Sequence, residues 1–282
     1  MTRPQTTDLV LIGTGNMGYA MLRKWAALVG YRVCVIEPDS GLAARAATLG
    51  VEVHASPKGI GRRPVDVLVI ATKPQTVGSI LSDVRDRIAP GGLVISVAAG
   101  VSLATMAEHA SKPQAIIRAM PNSPASIGEA MTVWCGNNHV AASHRQIATE
   151  LMSAIGQAVS VEDETLMDAV TAVSGSGPAY LFLFMEAFRE AAVQAGLSRA
   201  LAVQLTRQTV FGAAMLAHHS EVPPETLRQR VTSPNGTTAA AINVLLQDDR
   251  LQNLMNETLK AAKMRSIELN LRQSYRSGTD IF

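Results

Sequence analysis

Asp8-Leu-Val-Leu-Ile12 is followed at once by Gly13-Thr14-Gly15-Asn16-Met17-Gly18, and a segment with helical spacing of its apolar residues continues from there. In a strand–turn–helix context, the first glycine permits a tight turn and the second admits a pyrophosphate close to the backbone. The third glycine lets the helix pack on the strand. The free N–H groups at the helix N-terminus then face the phosphates. We therefore predict that all six residues of this turn bind a dinucleotide.

Short β-branched runs alternate with longer helical patterns through the first half of the chain. Runs that are apolar on both faces and joined by crossover helices predict a parallel sheet covered on both sides, an α/β fold of the doubly wound Rossmann type. We assign residues 1–163 to this domain. The predicted strands are Asp8–Ile12, Arg32–Ile36, Val65–Ala71, Leu93–Val97, Ala115–Arg118 and Ala130–Cys135, and the helices are Met17–Val29, Gly41–Leu49, Thr76–Ile88, Leu103–Ala110 and Val140–Ile155.

From about Glu164 strand signals stop and helical patterns continue to the C-terminus. We predict an all-α domain over 164–273 and an unstructured tail over 274–282. The predicted helices include Leu201–Ala217, Pro224–Val231, Thr237–Leu246 and Leu251–Leu271, which carry more apolar residues than a lone small bundle needs. This excess favours burial against a second copy of the chain.

Candidate cofactor residues also follow the predicted strands at the sheet edge where ligands bind. Glu37 ends the second strand, where a carboxylate accepts hydrogen bonds from the adenosine ribose of NAD and repels the 2′-phosphate of NADP. Arg45, on the next helix, is able to compensate such a phosphate. The segment Ala71–Pro74 follows the fourth strand, and Asn122 lies in a proline-stiffened loop after another. We predict that Ala71, Lys73, Pro74 and Asn122 contact the cofactor; a surface lysine and an ordinary rigid turn are the alternatives.

Two clusters of small polar residues precede helices in the second half, Ser174–Tyr180 and Thr232–Thr238. Glycines and hydroxyls at helix N-termini suit a carboxylate, because free N–H groups and the positive end of the helix dipole point at it. N-capping explains a single serine or threonine, but not seven consecutive small residues twice. The predicted substrate-binding residues are Ser174, Ser233, Asn235, Gly236, Thr237 and Thr238.

Most of the second half lacks the lysine that commonly takes a hydroxyl proton. No lysine occurs between Lys112 and Lys260, and the only histidines after His144 are His218 and His219 at the polar end of a helix. Oxidation of an alcohol needs such a base, whereas a protonated C=N bond already carries the charge that attracts hydride. The sequence therefore favours reduction of an imino acid.

Composition excludes several other classes of protein. Hydrophobic residues make up 47% of the chain, which excludes wholesale disorder. The 25 Lys+Arg nearly balance the 23 Asp+Glu and no stretch concentrates the positive charge, which argues against binding to nucleic acid or a membrane surface. No apolar run is long enough to span a bilayer and no signal peptide is present, so we expect a cytoplasmic protein.

Cys34 and Cys135 lack motif spacing and predict buried, reduced thiols, with a disulfide as the alternative. We predict no metal site.

Five motifs in the same order resemble the pyrroline-5-carboxylate reductases, which make L-proline. They are GTGNMG from Gly13, ATKP from Ala71, RAMPNSPA from Arg118, SGSGPAY from Ser174 and VTSPNGTTAAAI from Val231. The resemblance implies a Rossmann-type domain that binds NADP or NAD, followed by a helical domain that interlocks into a homodimer, often a building block of larger rings. It also implies a substrate carboxylate near Ser233–Thr238, with the Thr238 hydroxyl close to the ring nitrogen. Lys73 and Thr238 are the candidate catalytic residues.

One departure from the family concerns Glu37, since many members carry a small polar residue there and take NADPH. It bears on the choice of cofactor and not on the reaction. Three other functions stay open at this point: a reductase of a six-membered cyclic imine, a β-hydroxyacid dehydrogenase, and a dinucleotide sensor without turnover. The absent helical lysine speaks against the dehydrogenase, and the intact hydroxyl cluster at Thr232–Thr238 speaks against the sensor.

Overall fold

The computed structural model describes residues 6–61, 63–110 and 113–277. The chain forms two compact units: the first comprises the residues up to Ser176 and those from Ala262 onward, and the second comprises Gly177–Ala261. We call them the sheet unit and the helical unit. No helix among the described residues is both long enough and apolar enough to cross a bilayer.

The sheet unit contains one eight-stranded sheet with the order β3-β2-β1-β4-β5-β6-β7-β8. Neighbouring strands are parallel except β6 and β7, which are antiparallel. The predicted doubly wound sheet followed by helices is therefore confirmed. The strands are β1 Thr7–Ile12, β2 Tyr31–Ile36, β3 Glu52–His54, β4 Val65–Ile70, β5 Ile88–Ser96, β6 Ala115–Met120, β7 Ala130–Gly136 and β8 Gly156–Ser160.

Two of these strands, β3 and β8, were not predicted. β3 has three residues, Glu-Val-His, and β8 reads Gly-Gln-Ala-Val-Ser, so neither shows an apolar run or a clear alternation. Each lies at an edge of the sheet and pairs on one side only. These strands are stabilised by backbone pairing with a buried neighbouring strand. Their own residues therefore carry no pattern from which a strand can be predicted.

Helices cover both faces of the sheet. They are α1 Asn16–Trp25, α2 Ser40–Ala47, α3 Val77–Val84, α4 Leu103–His109, α5 Ala142–Ser153 and α6 Met167–Val170. Along β1, Leu9 and Leu11 belong to the hydrophobic core on one face, and Val10 and Ile12 belong to the core on the other. Burial on both faces explains why the strands are apolar runs without alternation. Both cysteines are free and buried, as predicted.

A buried arginine extends the sheet unit beyond the predicted boundary at residue 163. Arg118 on β6 is 4% exposed, and its Nη1 lies 3.0 Å from Oε1 of Glu164. The Glu164 carboxylate also accepts a hydrogen bond from the backbone N–H of Leu103. A buried guanidinium needs a carboxylate partner, and Glu164 supplies it. Residues 164–176 accordingly group with the sheet unit.

The end of the last helix also belongs to the sheet unit. Asp168 accepts hydrogen bonds from Ser266 Oγ at 2.7 Å and from Asn270 Nδ2 at 2.6 Å. Residues from Ala262 onward therefore group with the sheet, which differs from the predicted single helical domain over 164–273. The last helix continues to Ser277, into the segment predicted as a tail, and residues 278–282 lie outside the described part of the chain.

The helical unit exposes apolar side chains along its helices. No residue of α7 or α10 is buried in the single chain, and Leu183 on α7 is 65% exposed. Such a surface is larger than a soluble monomer normally presents, and it matches the predicted excess of apolar residues. The helices are α7 Gly177–Gln194, α8 Arg199–His219, α9 Pro224–Arg230, α10 Thr237–Leu246 and α11 Arg250–Ser277, whose last part belongs to the sheet unit.

We expect Leu183→Glu to shift the chain toward smaller assemblies, because a carboxylate is costly to bury in a subunit interface and harmless on a free surface. Light scattering on a sizing column should give at least twice the chain mass for the unaltered protein. Gln157→Glu, which adds the same charge to the exposed β8 strand, is the matched control and should leave the mass unchanged. A fully active monomer in the unaltered protein would contradict self-association.

Candidate functional site

The turn between β1 and α1 accepts only glycine at two positions. Gly13 has a φ of +92°, and a Cβ there would lie 2.8 Å from the carbonyl oxygen of Ala71. A Cβ on Gly18 would lie 2.0 Å from the carbonyl oxygen of Gly13, which is closer than atoms approach. At Gly15, in contrast, an added Cβ would meet nothing within 4 Å. The turn is thus packed on the protein side and open beside Gly15, as a pyrophosphate site requires.

The first turn of α1 offers donors to an anion. No side chain caps this helix, so the N–H groups that lack an intrahelical acceptor are available to a ligand. A cavity of about 410 Å³ borders the same turn. Its lining residues include Asn16 and Met17 of the glycine turn together with Tyr19, Arg23, Arg45 and Ser126. The residues present therefore fit a dinucleotide.

Glu37 braces the glycine turn from the end of β2. It is 5% exposed, and its Oε2 accepts hydrogen bonds from the Thr14 N–H at 2.7 Å and the Thr14 hydroxyl at 3.1 Å. Its Oε1 accepts from the Asp39 N–H at 3.0 Å. The sequence did not indicate this bracing role, because it depends on the parallel pairing of β1 with β2. Contact of Glu37 with a ribose stays a prediction.

Arg45 is also held by the turn. Its Nη2 donates to the carbonyl oxygen of Thr14 at 2.7 Å, and its guanidinium lies 4.0 Å from the centre of the Tyr19 ring. Thr14 is therefore bonded on its N–H side by a carboxylate and on its carbonyl side by a guanidinium. The Arg45 Nε is buried without a hydrogen-bond partner, so a phosphate contact would fall to the outer guanidinium nitrogens.

The segment Ala71–Pro74 lies where β4 ends beside β1. The Ala71 N–H donates to the carbonyl oxygen of Ile12 at 2.8 Å, which fixes this segment against the glycine turn. Pro74 begins a short 3₁₀ turn that leads into α3, as its missing N–H favours. Lys73 is extended and exposed just before that turn. The cofactor contacts of this segment and the catalytic role of Lys73 stay predictions.

The side-chain amide of Asn122 is bonded at both ends within the protein. Its Oδ1 accepts from the Met131 N–H at 2.9 Å, and its Nδ2 donates to the carbonyl oxygen of Ser174 at 3.0 Å. Asn122 is 9% exposed. The amide therefore links the loop after β6 to the segment that contains Ser174, a role that the sequence did not indicate.

Ser174 lies in a short π-helix, Thr171–Gly175, between α6 and α7. Its hydroxyl donates to the carbonyl oxygen of Val170 at 3.1 Å, and its own carbonyl accepts from Asn122. The wider helical turn is thus stabilised from the loop after β6. Such turns occur frequently at functional sites. Substrate binding by Ser174 remains a prediction.

The loop before α10 is a tight turn that opens a helix. The Gly236 N–H donates to the carbonyl oxygen of Ser233 at 3.0 Å, and Asn235 has a φ of 59°. α10 begins at Thr237, as predicted, and no side chain caps it. The N–H groups at Thr237 and Thr238 are therefore available to a carboxylate, at the positive end of the helix dipole.

The structure distributes the predicted site residues between the two units. The glycine turn, Glu37, the Ala71–Pro74 segment, Asn122 and Ser174 belong to the sheet unit, and Ser233–Thr238 belongs to the helical unit. Within the sheet unit, Thr14 contacts Glu37, and Asn122 contacts Ser174. The bracing residues Arg45 and Arg118 were not among the predicted site residues. A charged residue inside the apolar strand Ala115–Met120 was the available signal for Arg118, because it demands a buried partner.

We expect Asn122→Ala to lower the free energy of unfolding by about 2–4 kcal/mol, because it leaves the Met131 N–H and the Ser174 carbonyl without their partner. Thermal unfolding followed by circular dichroism measures the effect. Asn138→Ala removes an exposed asparagine and is the matched control, with an expected change within about 0.5 kcal/mol. Equal melting temperatures for the two variants would show that the amide carries no structural role.

Two family models match the chain. The model described as pyrroline-5-carboxylate reductase dimerisation matches residues 164–269, and the model described as NADP oxidoreductase, coenzyme F420-dependent, matches residues 8–100. The first match begins at the residue where the sequence changes from mixed to helical patterns. The self-association expected from the exposed helices agrees with this dimerisation model.

Relatives and solved structures match over almost the whole chain. The pyrroline-5-carboxylate reductase of Pseudomonas aeruginosa is 38% identical over 94% of this chain and 97% of its own length. The structure of the Coxiella burnetii enzyme superposes with a TM-score of 0.87 at 36% identity, covering 94% of this chain and 98% of that one. The structure of the Plasmodium falciparum pyrroline carboxylate reductase with NADP bound has a TM-score of 0.80 at 26% identity, covering 95% of this chain and all (100%) of that one. Because a relative that is 38% identical matches 94% of this chain, the chain belongs to the pyrroline-5-carboxylate reductase family.

Proposed function

We propose that this protein reduces the C=N bond of 1-pyrroline-5-carboxylate to give L-proline, the last step of proline biosynthesis, with NADPH or NADH as the reductant. The observation that carries the proposal is the full-length similarity to reductases of that name, at 38% identity over 94% of the chain. The glycine turn and the uncapped start of α10 supply the chemistry that the reaction needs: one binds a dinucleotide and the other a carboxylate.

The sheet unit is the cofactor-binding part in this proposal. The N–H groups at the start of α1 hold the pyrophosphate, and the braced conformation of Thr14 keeps that turn fixed before the cofactor arrives. Ala71, Lys73, Pro74 and Asn122 follow strands at the carboxyl edge of the sheet, the edge at which such folds bind ligands. When bound, the reduced nicotinamide supplies a hydride.

The start of α10 binds the substrate carboxylate in this proposal. The backbone N–H groups of Thr237 and Thr238 donate to the carboxylate oxygens, assisted by the helix dipole. The Thr238 hydroxyl accepts a hydrogen bond from the protonated ring nitrogen and orients the amine as hydride reaches the adjacent carbon. It is too weak an acid to be the dominant proton donor, so solvent supplies the ring nitrogen with its proton.

The absence of lysine from residues 113–259 supports an imine as substrate. His218 and His219 lie at the C-terminal end of α8 and are exposed, which is consistent with a role at the surface. A protonated imine needs no base, because its own positive charge draws the hydride. A hydroxy-acid substrate would require a general base that the described residues of the helical unit do not offer at the start of α10.

A six-membered cyclic imino acid is the main alternative substrate. It carries the same carboxylate and C=N bond, so the start of α10 accepts it in the same way. Oxidation of NADH and NADPH, followed by absorbance with five- and six-membered imino acids, separates the two. We expect the larger kcat/KM for the five-membered ring. A larger value for the six-membered ring would replace the proposed substrate, and no turnover with either would support a dinucleotide sensor.

We predict that Thr238→Ala lowers kcat/KM for the imine by roughly thirty- to a thousand-fold, because one transition-state contact in a dry site contributes ~2–4 kcal/mol. The KM for the cofactor should barely change, since the glycine turn belongs to the sheet unit. Steady-state kinetics with varied imine and varied cofactor measures both quantities.

Two further variants serve as controls for Thr238. Thr237→Ala removes the neighbouring, exposed hydroxyl and should leave kcat/KM near the parent value. Thr238→Ser keeps a hydroxyl and should restore most of the activity that alanine loses. If Thr238→Ala kept the kcat/KM of the unaltered enzyme, the loop before α10 would contribute only its backbone N–H groups to substrate binding.

From Glu37 we infer that the enzyme binds NADH at least as tightly as NADPH. A 2′-phosphate beside its carboxylate brings like charges together, and one poorly compensated contact costs ~1–3 kcal/mol, roughly ten- to a hundred-fold in affinity. Because Glu37 also braces Thr14, its replacement weakens the turn for both cofactors. The informative quantity is therefore the ratio of the two kcat/KM values.

We predict that Glu37→Ser and Glu37→Gln each raise the ratio of kcat/KM for NADPH to that for NADH by roughly ten- to a hundred-fold. Glutamine removes the charge and keeps an oxygen for the Thr14 N–H, so its absolute activities should fall less. Glu108→Gln removes an exposed carboxylate on α4 and should not change the ratio. A strong NADPH preference in the unaltered enzyme would contradict this and point to Arg45 as the phosphate ligand.

The proposal includes a homodimer or a larger ring of dimers in the cytoplasm. The exposed apolar faces of α7 and α10 support subunit contacts through the helical unit. Because positive and negative charges are nearly balanced, we expect no nucleic-acid or membrane partner. The partners in this proposal are the small imino-acid substrate and further copies of the chain.

A further inference from the structure

Three potential metal ligands lie together where β2 pairs with the edge strand β3. Cys34 on β2 is in register with Glu52 on β3, and His54 follows two residues after Glu52. Alternate residues of a strand point to the same face, and neighbouring strands are about 4.8 Å apart. The Cys34 thiol, the Glu52 carboxylate and an imidazole nitrogen of His54 all lie within 4.8 Å of one another.

The three donors suit zinc better than magnesium or calcium. Thiolate, imidazole and carboxylate are the protein ligands of Zn²⁺, whereas hard cations take oxygen alone. Cys34 is 2% exposed, while His54 is half-buried and Glu52 is exposed, so an ion can enter from the Glu52 side. Two ligands on one strand and a third on the next leave the fourth tetrahedral position to a water molecule.

The packing around His54 directs its ring toward this cluster. A Cβ on Gly59 would lie 2.5 Å from Cγ of His54, so the turn that contains Gly59 presses against the ring. On its other side, Nε2 of His54 lies 2.8 Å from Oε1 of Glu52. The imidazole is thus already held beside the carboxylate.

Arg63 occupies the place of a cation beside Glu52. Its Nη1 and Nη2 donate to the two oxygens of Glu52 at 2.8 and 3.3 Å. Arg63 is therefore a competitor that a metal ion must displace from the carboxylate. Burial, together with the Glu52 charge, raises the pKa of the Cys34 thiol to about 11, so the thiol carries its proton until a metal binds.

We propose that Cys34, Glu52 and His54 form a site for one Zn²⁺ ion, with water as the fourth ligand. On binding, the thiol proton passes to solvent, a Zn–S bond forms, and the Arg63 guanidinium leaves Glu52; no electron is transferred. Cys34 and Glu52 are far apart in the sequence, so spacing alone gives no metal signal. The bound ion links the edge strand β3 to β2.

The test is a titration of the full-length, tag-free protein with Co²⁺, which takes zinc sites and reports on their ligands. We expect one equivalent to give thiolate-to-cobalt charge-transfer absorption and the visible bands of a tetrahedral site, and Zn²⁺ to abolish both. Cys34→Ser and His54→Gln should remove the charge-transfer and tetrahedral bands, respectively. Cys135→Ser, which changes the other buried thiol, should retain both. Circular dichroism establishes that each variant is folded.

Arg63→Gln provides a test in the opposite direction. Removing the competing guanidinium should tighten Co²⁺ and Zn²⁺ binding roughly tenfold, the equivalent of one charge-assisted hydrogen bond. Zn²⁺, and not Mg²⁺, should raise the melting temperature of the unaltered protein. Absence of the thiolate band, its persistence in Cys34→Ser, or its loss in Cys135→Ser would overturn the site, as would weaker binding in Arg63→Gln.

Discussion

At the β1–α1 turn, the backbones of Gly13, Gly18 and Ala71 lie so close that no side chain fits between them. This contact sets the start of α1 directly against the ends of β1 and β4. The uncapped N–H groups of α1 therefore open at the carboxyl edge of the sheet, where we propose that a pyrophosphate binds. The same closeness leaves Gly15 free on its outer side. The proposed cofactor site thus depends on a steric constraint on backbone atoms.

Buried polar side chains hold this arrangement together. Glu37 and Arg45 bond opposite sides of Thr14, and so the turn has a defined conformation without a ligand. Farther along the sheet, Arg118 binds Glu164, and Asn122 binds the carbonyl of Ser174. Glu37, Arg118 and Asn122 are buried, and each is costly to bury without its partner, which is distant in sequence. They fix loops that apolar packing alone would leave free to shift.

The sequence predicts the central strands well, because apolar runs such as Leu9–Ile12 have both faces buried and therefore need no pairing partner to be recognised. It also predicts the start of α10 at Thr237, since small polar residues and a glycine mark a helix N-terminus. The edge strands β3 and β8 were missed because their own residues carry no strand pattern.

Sequence patterns also did not indicate which residues far apart in the chain contact one another. The hydrogen bonds from Thr14 to Glu37, from Asn122 to Ser174 and from Ser266 to Asp168 form only when the chain is folded. For the same reason, the predicted division at residue 163 differs from the compact units: ion pairs draw residues 164–176 toward the sheet. Glycine spacing predicted the tight turn between β1 and α1, because the steric constraint on that turn is local.

In the proposed reaction, hydride reaches the imine carbon of a five-membered imino acid. The direct measurement uses NADH and NADPH deuterated at the transferred position of the nicotinamide, with 1-pyrroline-5-carboxylate as substrate and mass spectrometry of the product. We expect L-proline carrying one deuterium on its δ carbon, with one cofactor oxidised per proline formed. Cofactor oxidation without deuterated proline, or no oxidation at all, would contradict it.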